Sequence, residues 1–177
     1  MTDARWVEVE DDIQAACRHF RMAARLYDAG GFGDPEVEDE DLPEEDLDAY
    51  RARMALQHAM QSAHTSLEGG LKRILEILGE EVPSGQHSHA DLVKRVSRPL
   101  ALPGLERDAI LAPEIVRDVN ESRRFRHRAM HDYDNFEPDR ATPSIDAARR
   151  LHAALLPCIE AFRNSVDPPE EESSDKA

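Results

Sequence analysis

Long stretches of apolar residues spaced three and four positions apart constrain the fold of this chain more than any other feature. Over residues 5–29 this spacing predicts one face of a long amphipathic helix, which the glycines of residues 30–33 end. A shorter helix is expected over residues 88–97. The same spacing predicts three further long helices, over residues 43–79, 113–137 and 142–166. No segment has the alternating pattern of a strand, so the sequence predicts an all-α fold.

Details of two helices lead to specific expectations. The apolar stripe of the second helix is predicted to include Leu47 and Tyr50, and Gly69-Gly70 interrupts the helix. Glycines at these positions are tolerable if another backbone packs close there or if the helix bends. The last helix is predicted to start at Thr142-Pro143, a capping residue followed by a proline in the first turn.

The organisation is that of one domain. Residues 1–166 are predicted to form a single helical domain, and residues 167–177 a disordered acidic tail. No run approaches the roughly 20 apolar residues of a membrane span, and the first residues lack the pattern of a signal peptide. Cys17 and Cys158 fall at apolar helix positions, which predicts buried free thiols and a cytoplasmic protein.

The distribution of charge singles out one segment. The chain has 37 acidic and 22 basic residues, a formal charge of −15, and a uniformly acidic surface would repel nucleic acid. Residues 123–133 nevertheless contain four arginines, two histidines and a tyrosine. Such a basic, proton-transferring island in an acidic chain is the strongest candidate for a functional site.

Inside this island the pattern is Arg126-x4-His131-x-Tyr133, with the polar His127 directly after the arginine. This pattern resembles the signature of the HEPN superfamily of ribonucleases, and its longer form is similar to that of the HepT-like toxins. The resemblance implies an antiparallel helical bundle of four to five main helices, which forms a symmetric dimer with two motifs facing each other across a cleft. Many relatives have Asn or Asp where this chain has His127.

The residue types suit RNA cleavage without a metal. Histidine can act as base or acid near neutral pH, and arginine pairs with phosphate oxygens, so Arg126 and His131 are the predicted catalytic residues. His127, Arg124 and Tyr133 are predicted to bind or orient the RNA. No cofactor is expected. His87-x-His89 lies in a predicted loop without an obvious third ligand, so no metal site is predicted there.

The resemblance also implies a partner. HepT-like toxins pair with a minimal nucleotidyltransferase antitoxin, which can transfer AMP to a motif tyrosine, here Tyr133. Two other readings stay open: a non-catalytic HEPN module that assists a nucleotidyltransferase, and a purely structural helical dimer.

The spacing of the motif raises a geometric difficulty. Residues five apart on an ideal helix are rotated by about 140°, so Arg126 and His131 do not share one face. Either the helix loosens near Met130, or a second copy of the chain completes the site.

Overall fold

The computed structural model describes residues 4–33, 47–85, 87–131 and 138–168, and for 105, 126–131, 138 and 139 it describes the backbone alone. Within these ranges the regular secondary structure is helical apart from one short hairpin, which confirms the all-α prediction. The elements in chain order are α1 (Arg5–Ala29), α2 (Leu47–Ile77), α3 (Ser88–Val96), β1 (Leu100–Leu102), β2 (Leu105–Arg107), α4 (Pro113–His131) and α5 (Pro138–Val166).

The four long helices enclose one apolar core. Helix α1 packs against α2 and α5, and α4 packs against α5 and α2. Neighbouring helices run antiparallel: Arg149 of α5 pairs with Asp28 near the end of α1, whereas Arg163 reaches Glu10 near its start. The largest fully buried side chains come from α1, α2, α3 and the segment before α4: Trp6, Ile13, Phe20, Leu56, Met60, Leu67, Leu71, Ile74, Leu75, Leu92, Ile110 and Leu111. None of the described helices is long and apolar enough to span a bilayer.

Helices α1 and α2 approach closely at the two glycines of α2. A Cβ atom added to Gly70 would lie 2.9 Å from Cδ1 of the buried Ile13, and one added to Gly69 would lie 3.1 Å from Oδ2 of Asp12. The neighbours are therefore side chains of α1, and the glycines make room for them. This confirms a packing role for Gly69-Gly70.

The predicted start of the α2 stripe is wrong. Leu47 and Tyr50 are 49% and 50% exposed, whereas Ala49 and Leu56 are buried. The reason is helical phase: Ala49 stands seven residues, about two turns, before Leu56, but Tyr50 stands six before it and is rotated away from the core.

The hairpin of β1 and β2 corrects the prediction that the chain contains no strand. The two strands pair antiparallel, with Leu100 opposite Arg107, and Gly104 in the turn has a φ of 81° that favours glycine. Each strand has only three residues, too few for an alternating pattern to show. Arg107 anchors the hairpin: its buried side chain pairs with Glu80 and donates to the carbonyl oxygens of Arg98 and Asp108.

The start of α5 is also corrected. The helix begins at Pro138 instead of Thr142, and Pro143 lies inside it. A proline suits the first position of a helix, because the N–H that it lacks has no partner there. Thr142 does not cap a helix; its Oγ1 lies 2.6 Å from the hydroxyl oxygen of Tyr27 on α1. Helix α5 ends at Val166, and residues 169–177 lie outside the described part, so the disordered tail stays a prediction.

Candidate functional site

The motif lies at the carboxyl end of α4. The helix begins at Pro113 and continues through His131, so the backbones of Arg126, His127 and His131 are helical. The side chains of residues 126–131 and the whole of Tyr133 lie outside the described residues. What the structure shows is how the rest of the bundle holds the turns of α4 that precede the motif.

Helix α4 is fixed to the core by an apolar face and a two-point ion pair. Ile115, Val119 and Phe125 are buried in the common core. Asp118 lies one turn before Ser122 on α4. Its carboxylate accepts two hydrogen bonds from Arg150 of α5, at 2.8 and 2.9 Å. The carboxylate is buried, and its hydrogen bond with Arg150 raises the pKa of that guanidinium above the ordinary value. Such a two-point contact constrains the orientation of both partners.

A second contact joins α4 to α2 inside the core. Nε2 of His64 lies 3.1 Å from Oγ of Ser122, and both residues are buried. While the Ser122 hydroxyl donates to the carbonyl oxygen of Val119, its oxygen accepts from His64 in the tautomer with the proton on Nε2. The His64 ring also meets Phe20 of α1 edge to face, with centroids 5.5 Å apart.

A third contact comes from α5 at the same turn. The buried Ser144 donates to the carbonyl oxygen of Glu121 at 3.0 Å. Ser122 and position 126 are four residues apart, so they fall on the same side of α4. Polar groups of α2 and α5 thus hold α4 within the two turns before Arg126, and this restricts sliding or rotation of the motif turn.

Arg124 is the one predicted site residue whose side chain is described. It is exposed and pairs with Glu121 one turn earlier on the same helix. The other predicted site residues, Arg126, His127, His131 and Tyr133, cannot be compared with described side-chain positions. Their roles stay predictions.

Sequence reasoning missed the His64–Ser122 pair. A histidine on an amphipathic helix lies by default at a surface or boundary position, but His64 is 2% exposed. A signal was present: His64 stands four residues after Met60 and three before Leu67, both buried, so it continues the apolar stripe of α2. Ser122 interrupts the stripe of α4 in the same way, and two polar residues on facing stripes are candidates for a buried hydrogen bond.

The continuous helix bears on the spacing difficulty. Of the two alternatives, a loosened helix near Met130 is not what the backbone shows, since α4 remains helical to His131. Along a regular helix Arg126 and His131 are separated by about 7.5 Å of rise and about 140° of rotation. Backbone positions 126 and 131 therefore lie on different sides of the helix axis.

The remaining histidine, cysteine and carboxylate candidates form no metal site in the described residues, where no group of three or more such side chains could hold an ion. Nδ1 of His89 lies 2.6 Å from Oε2 of Glu68, an ion pair when the imidazole is protonated.

Cys17 and Cys158 are free but half-buried, and burial raises the pKa of both thiols. The prediction of fully buried thiols was therefore too strong.

Comparison with known proteins identifies the family. A family model described as HepT-like protein matches residues 55–166, which include most of α2, all of α4 with its motif, and α5. The match covers more than half of the chain, and the protein belongs to the HepT-like family. Helix α1 lies outside the matched residues. Searches of curated proteins and of solved structures gave no match.

Proposed function

We propose that this protein is a metal-independent endoribonuclease, the toxin of a toxin–antitoxin pair, and that Arg126 and His131 carry the chemistry. The observation behind the proposal is the Arg126-x4-His131 pattern, which lies inside the residues matched by the HepT-like family and on a helix that the bundle holds firmly. The proposed place of action is the cytoplasm.

The proposed reaction is attack of a ribose 2′-hydroxyl on the adjacent phosphate. In one site, an imidazole takes the hydroxyl proton or protonates the leaving 5′-oxygen, and water carries the other proton; the imidazole role suits His131 near neutral pH. The Arg126 guanidinium binds the phosphate oxygens as negative charge builds up in the transition state. His127 orients the phosphate or the arginine, and Tyr133 donates to phosphate or stacks on a base. Arg124, which is exposed and pairs with Glu121 one turn earlier on α4, contacts the RNA backbone.

A homodimer completes the proposed site. Because backbone positions 126 and 131 lie on different sides of a continuous α4, the arginine of one chain works with the histidine of the other across a two-fold axis. The same axis would bring two basic motif segments together. This local positive charge would attract RNA although the chain as a whole has a formal charge of −15.

The proposed partner is a nucleotidyltransferase antitoxin, with Tyr133 as the residue that it modifies. AMP linked there would occupy the arginine with its phosphate and repel the RNA backbone. Incubation with the neighbouring nucleotidyltransferase and ATP, followed by peptide sequencing, should locate the added mass on Tyr133. A mass on another residue, or none while cleavage is suppressed, would leave occlusion by the partner as the mechanism.

RNA cleavage in the presence of EDTA tests the proposed activity. The purified protein should cleave single-stranded RNA equally well with and without the chelator, because arginine and histidine supply the charge and the protons. The products should end in a 2′,3′-cyclic phosphate. Loss of cleavage in EDTA would point to a metal-dependent reaction, and no cleavage at all would favour the non-catalytic HEPN module.

A further inference from the structure

Acidic residues are unevenly distributed along the antiparallel pair of helices α1 and α2. Residues 13–27 of α1 and residues 49–67 of α2 contain no carboxylate, although the chain has 37 acidic residues. The two helices run antiparallel, with Gly70 against Ile13 and Gly33 against Ala49, so the two carboxylate-free stretches lie side by side. Most of the acidic residues of this pair lie toward the opposite end, where Arg73 of α2 binds Glu8 and Asp12 of α1. Asp28 of α1 and Asp48 of α2 flank the carboxylate-free stretches at the near end.

Three arginines stand on the outer face of the carboxylate-free part of α1. Arg18, Arg21 and Arg25 are all exposed, and their spacing of three and four residues puts them on one side of the helix. In the described part of the chain none of the three forms an ion pair or a side-chain hydrogen bond. The next carboxylate along the helix, Asp28, is bound by Arg149.

Two other side chains of this region are less polar than the arginines. His19 is partly exposed, and burial together with its neighbours His58 and Arg18 lowers the pKa of its imidazole, which favours the neutral ring. Met22, 48% exposed, lies among the three arginines and offers an apolar surface. Methionine sulfur makes favourable contacts with flat aromatic rings such as nucleobases.

We propose that the face formed by Arg18, Arg21, Met22 and Arg25, called here the α1 arginine face, binds the phosphate backbone of an RNA strand outside the bond that is cleaved. From Arg18 to Arg25 the helix rises about 10.5 Å, which spreads the three arginines along a strand so that each can contact a phosphate. The inference rests on the proposed function for its ligand, but it adds a surface on α1, outside the family-matched residues.

The net charge of the chain does not prevent this binding. Electrostatic forces between exposed charges fall off over about 8 Å at physiological ionic strength. The helix rises about 9 Å between Asp12 and Arg18, and Asp12 is itself bound by Arg73. Asp28, the carboxylate nearest to the face along the helix, is bound by Arg149. Both flanking carboxylates of α1 are therefore paired with arginines of other helices, which leaves the local arginines to act on a strand.

The test is RNA binding at several salt concentrations. The probe is a fluorescein-labelled 2′-O-methyl RNA 20-mer, which lacks the nucleophilic hydroxyl and stays intact, and binding is followed by fluorescence anisotropy. The variant Arg18→Gln/Arg21→Gln/Arg25→Gln should bind roughly 10- to 100-fold more weakly at 0.1 M salt. The slope of log affinity against log salt should fall by about 2, at about 0.7 for each lost phosphate contact.

A charge-matched control separates local from overall charge. The control variant Lys72→Gln/Lys94→Gln/Arg98→Gln also removes three positive charges, one each from α2, α3 and the segment after α3. It should bind almost as the wild type does. The inference is overturned if the α1 variant keeps its affinity and salt slope, if both triple variants lose affinity equally, or if the wild type binds no RNA. It is also overturned if a polyglutamate 20-mer binds the wild type as tightly as the RNA, because the face would then serve an acidic protein.

Cleavage of unmodified RNA by the wild type, measured on the same preparation, keeps the two proposals apart. Cleavage together with unchanged binding by the α1 variant would refute the arginine face and leave the ribonuclease proposal intact. Binding through the face without any cleavage would support the face and refute the ribonuclease. Melting curves of both triple variants should match the wild type, since none of the three α1 arginines is in an ion pair within the described residues.

Discussion

At the residue scale, the buried contact between His64 and Ser122 carries the clearest structural information about the motif helix. It joins α2 to α4 one turn before Arg126, in a core that is otherwise largely apolar. Sequence periodicity placed both residues on helices but did not reveal their contact, because hydrogen-bond partners 58 residues apart depend on how helices pack. The same limit explains Tyr50, whose exposure depends on the phase of the α2 stripe.

Replacing Ser122 with alanine should destabilise the fold. The change leaves the buried Nε2–H of His64 without this acceptor, a loss of about 1–3 kcal/mol in the free energy of unfolding. In the double variant His64→Leu/Ser122→Ala the loss should be smaller than the sum of the single losses, by about 0.5–3 kcal/mol. Urea unfolding of all three variants measures these terms.

The control for this cycle is Ser165→Ala. Ser165 donates to the carbonyl oxygen three residues earlier, as Ser122 does, but it is exposed near the end of α5. Its loss should stay within about 0.5 kcal/mol. Strictly additive losses in the cycle would show that the hydrogen bond between His64 and Ser122 contributes nothing to stability.

At the element scale, the sequence predicted the existence of the helices and several of their ends, including both ends of α1 and the start of α4 at Pro113, but not the start of α5. Apolar spacing of three and four located all five helices, because burial of one face requires that pattern. Helix α5 begins four residues before the predicted capping threonine, since Pro138 is itself a suitable first residue and Thr142 is engaged by Tyr27. The hairpin could not be predicted from local spacing, because the ion pair between Arg107 and Glu80 that stabilises it joins residues far apart in the sequence.

The two adjacent glycines of α2 should respond oppositely to alanine. Gly70→Ala places a Cβ 2.9 Å from Cδ1 of the fully buried Ile13, so overpacking of about 1–3 kcal/mol should exceed the helix-propensity gain of about 1 kcal/mol. Gly69→Ala meets the movable carboxylate of Asp12 and should be neutral or stabilising by up to about 1 kcal/mol. Urea unfolding compares them. Equal stabilisation by both substitutions would show that α1 and α2 are not packed this closely.

At the scale of the whole molecule, the sequence was sufficient for the fold class and the family, and insufficient for the assembly. The motif and the helical pattern led to the HepT-like family, which the family match confirms over residues 55–166. How two copies would meet depends on surface shape and on side chains at the end of α4. The separation of charge along α1 and α2 is visible in the sequence, but its position on one side of the bundle required the antiparallel pairing of the helices.

Mixed dimers should reveal a shared site. Chains with Arg126→Ala and chains with His131→Ala should each be nearly inactive alone. After mixing and subunit exchange, half of the dimers are mixed and each has one intact site, so about a quarter of wild-type cleavage should return. Sedimentation at micromolar concentration verifies that the dimers form. Failure to recover activity, or full activity of a monomer, would contradict a site built from two chains.

The most direct measurement of the central claim is the single-turnover rate of RNA cleavage for the wild type, Arg126→Ala, His131→Ala and Arg117→Ala, all in EDTA. His131→Ala removes the imidazole and should lower the cleavage rate by roughly 10²–10⁴, the usual rate contribution of one general acid or base. Arg126→Ala should lower it by a similar or larger factor, because it removes the phosphate-binding charge. Arg117→Ala, an exposed arginine on the same helix, should stay within a few-fold of the wild type. Wild-type rates in the His131→Ala or Arg126→Ala protein would contradict the assignment of catalysis to this motif.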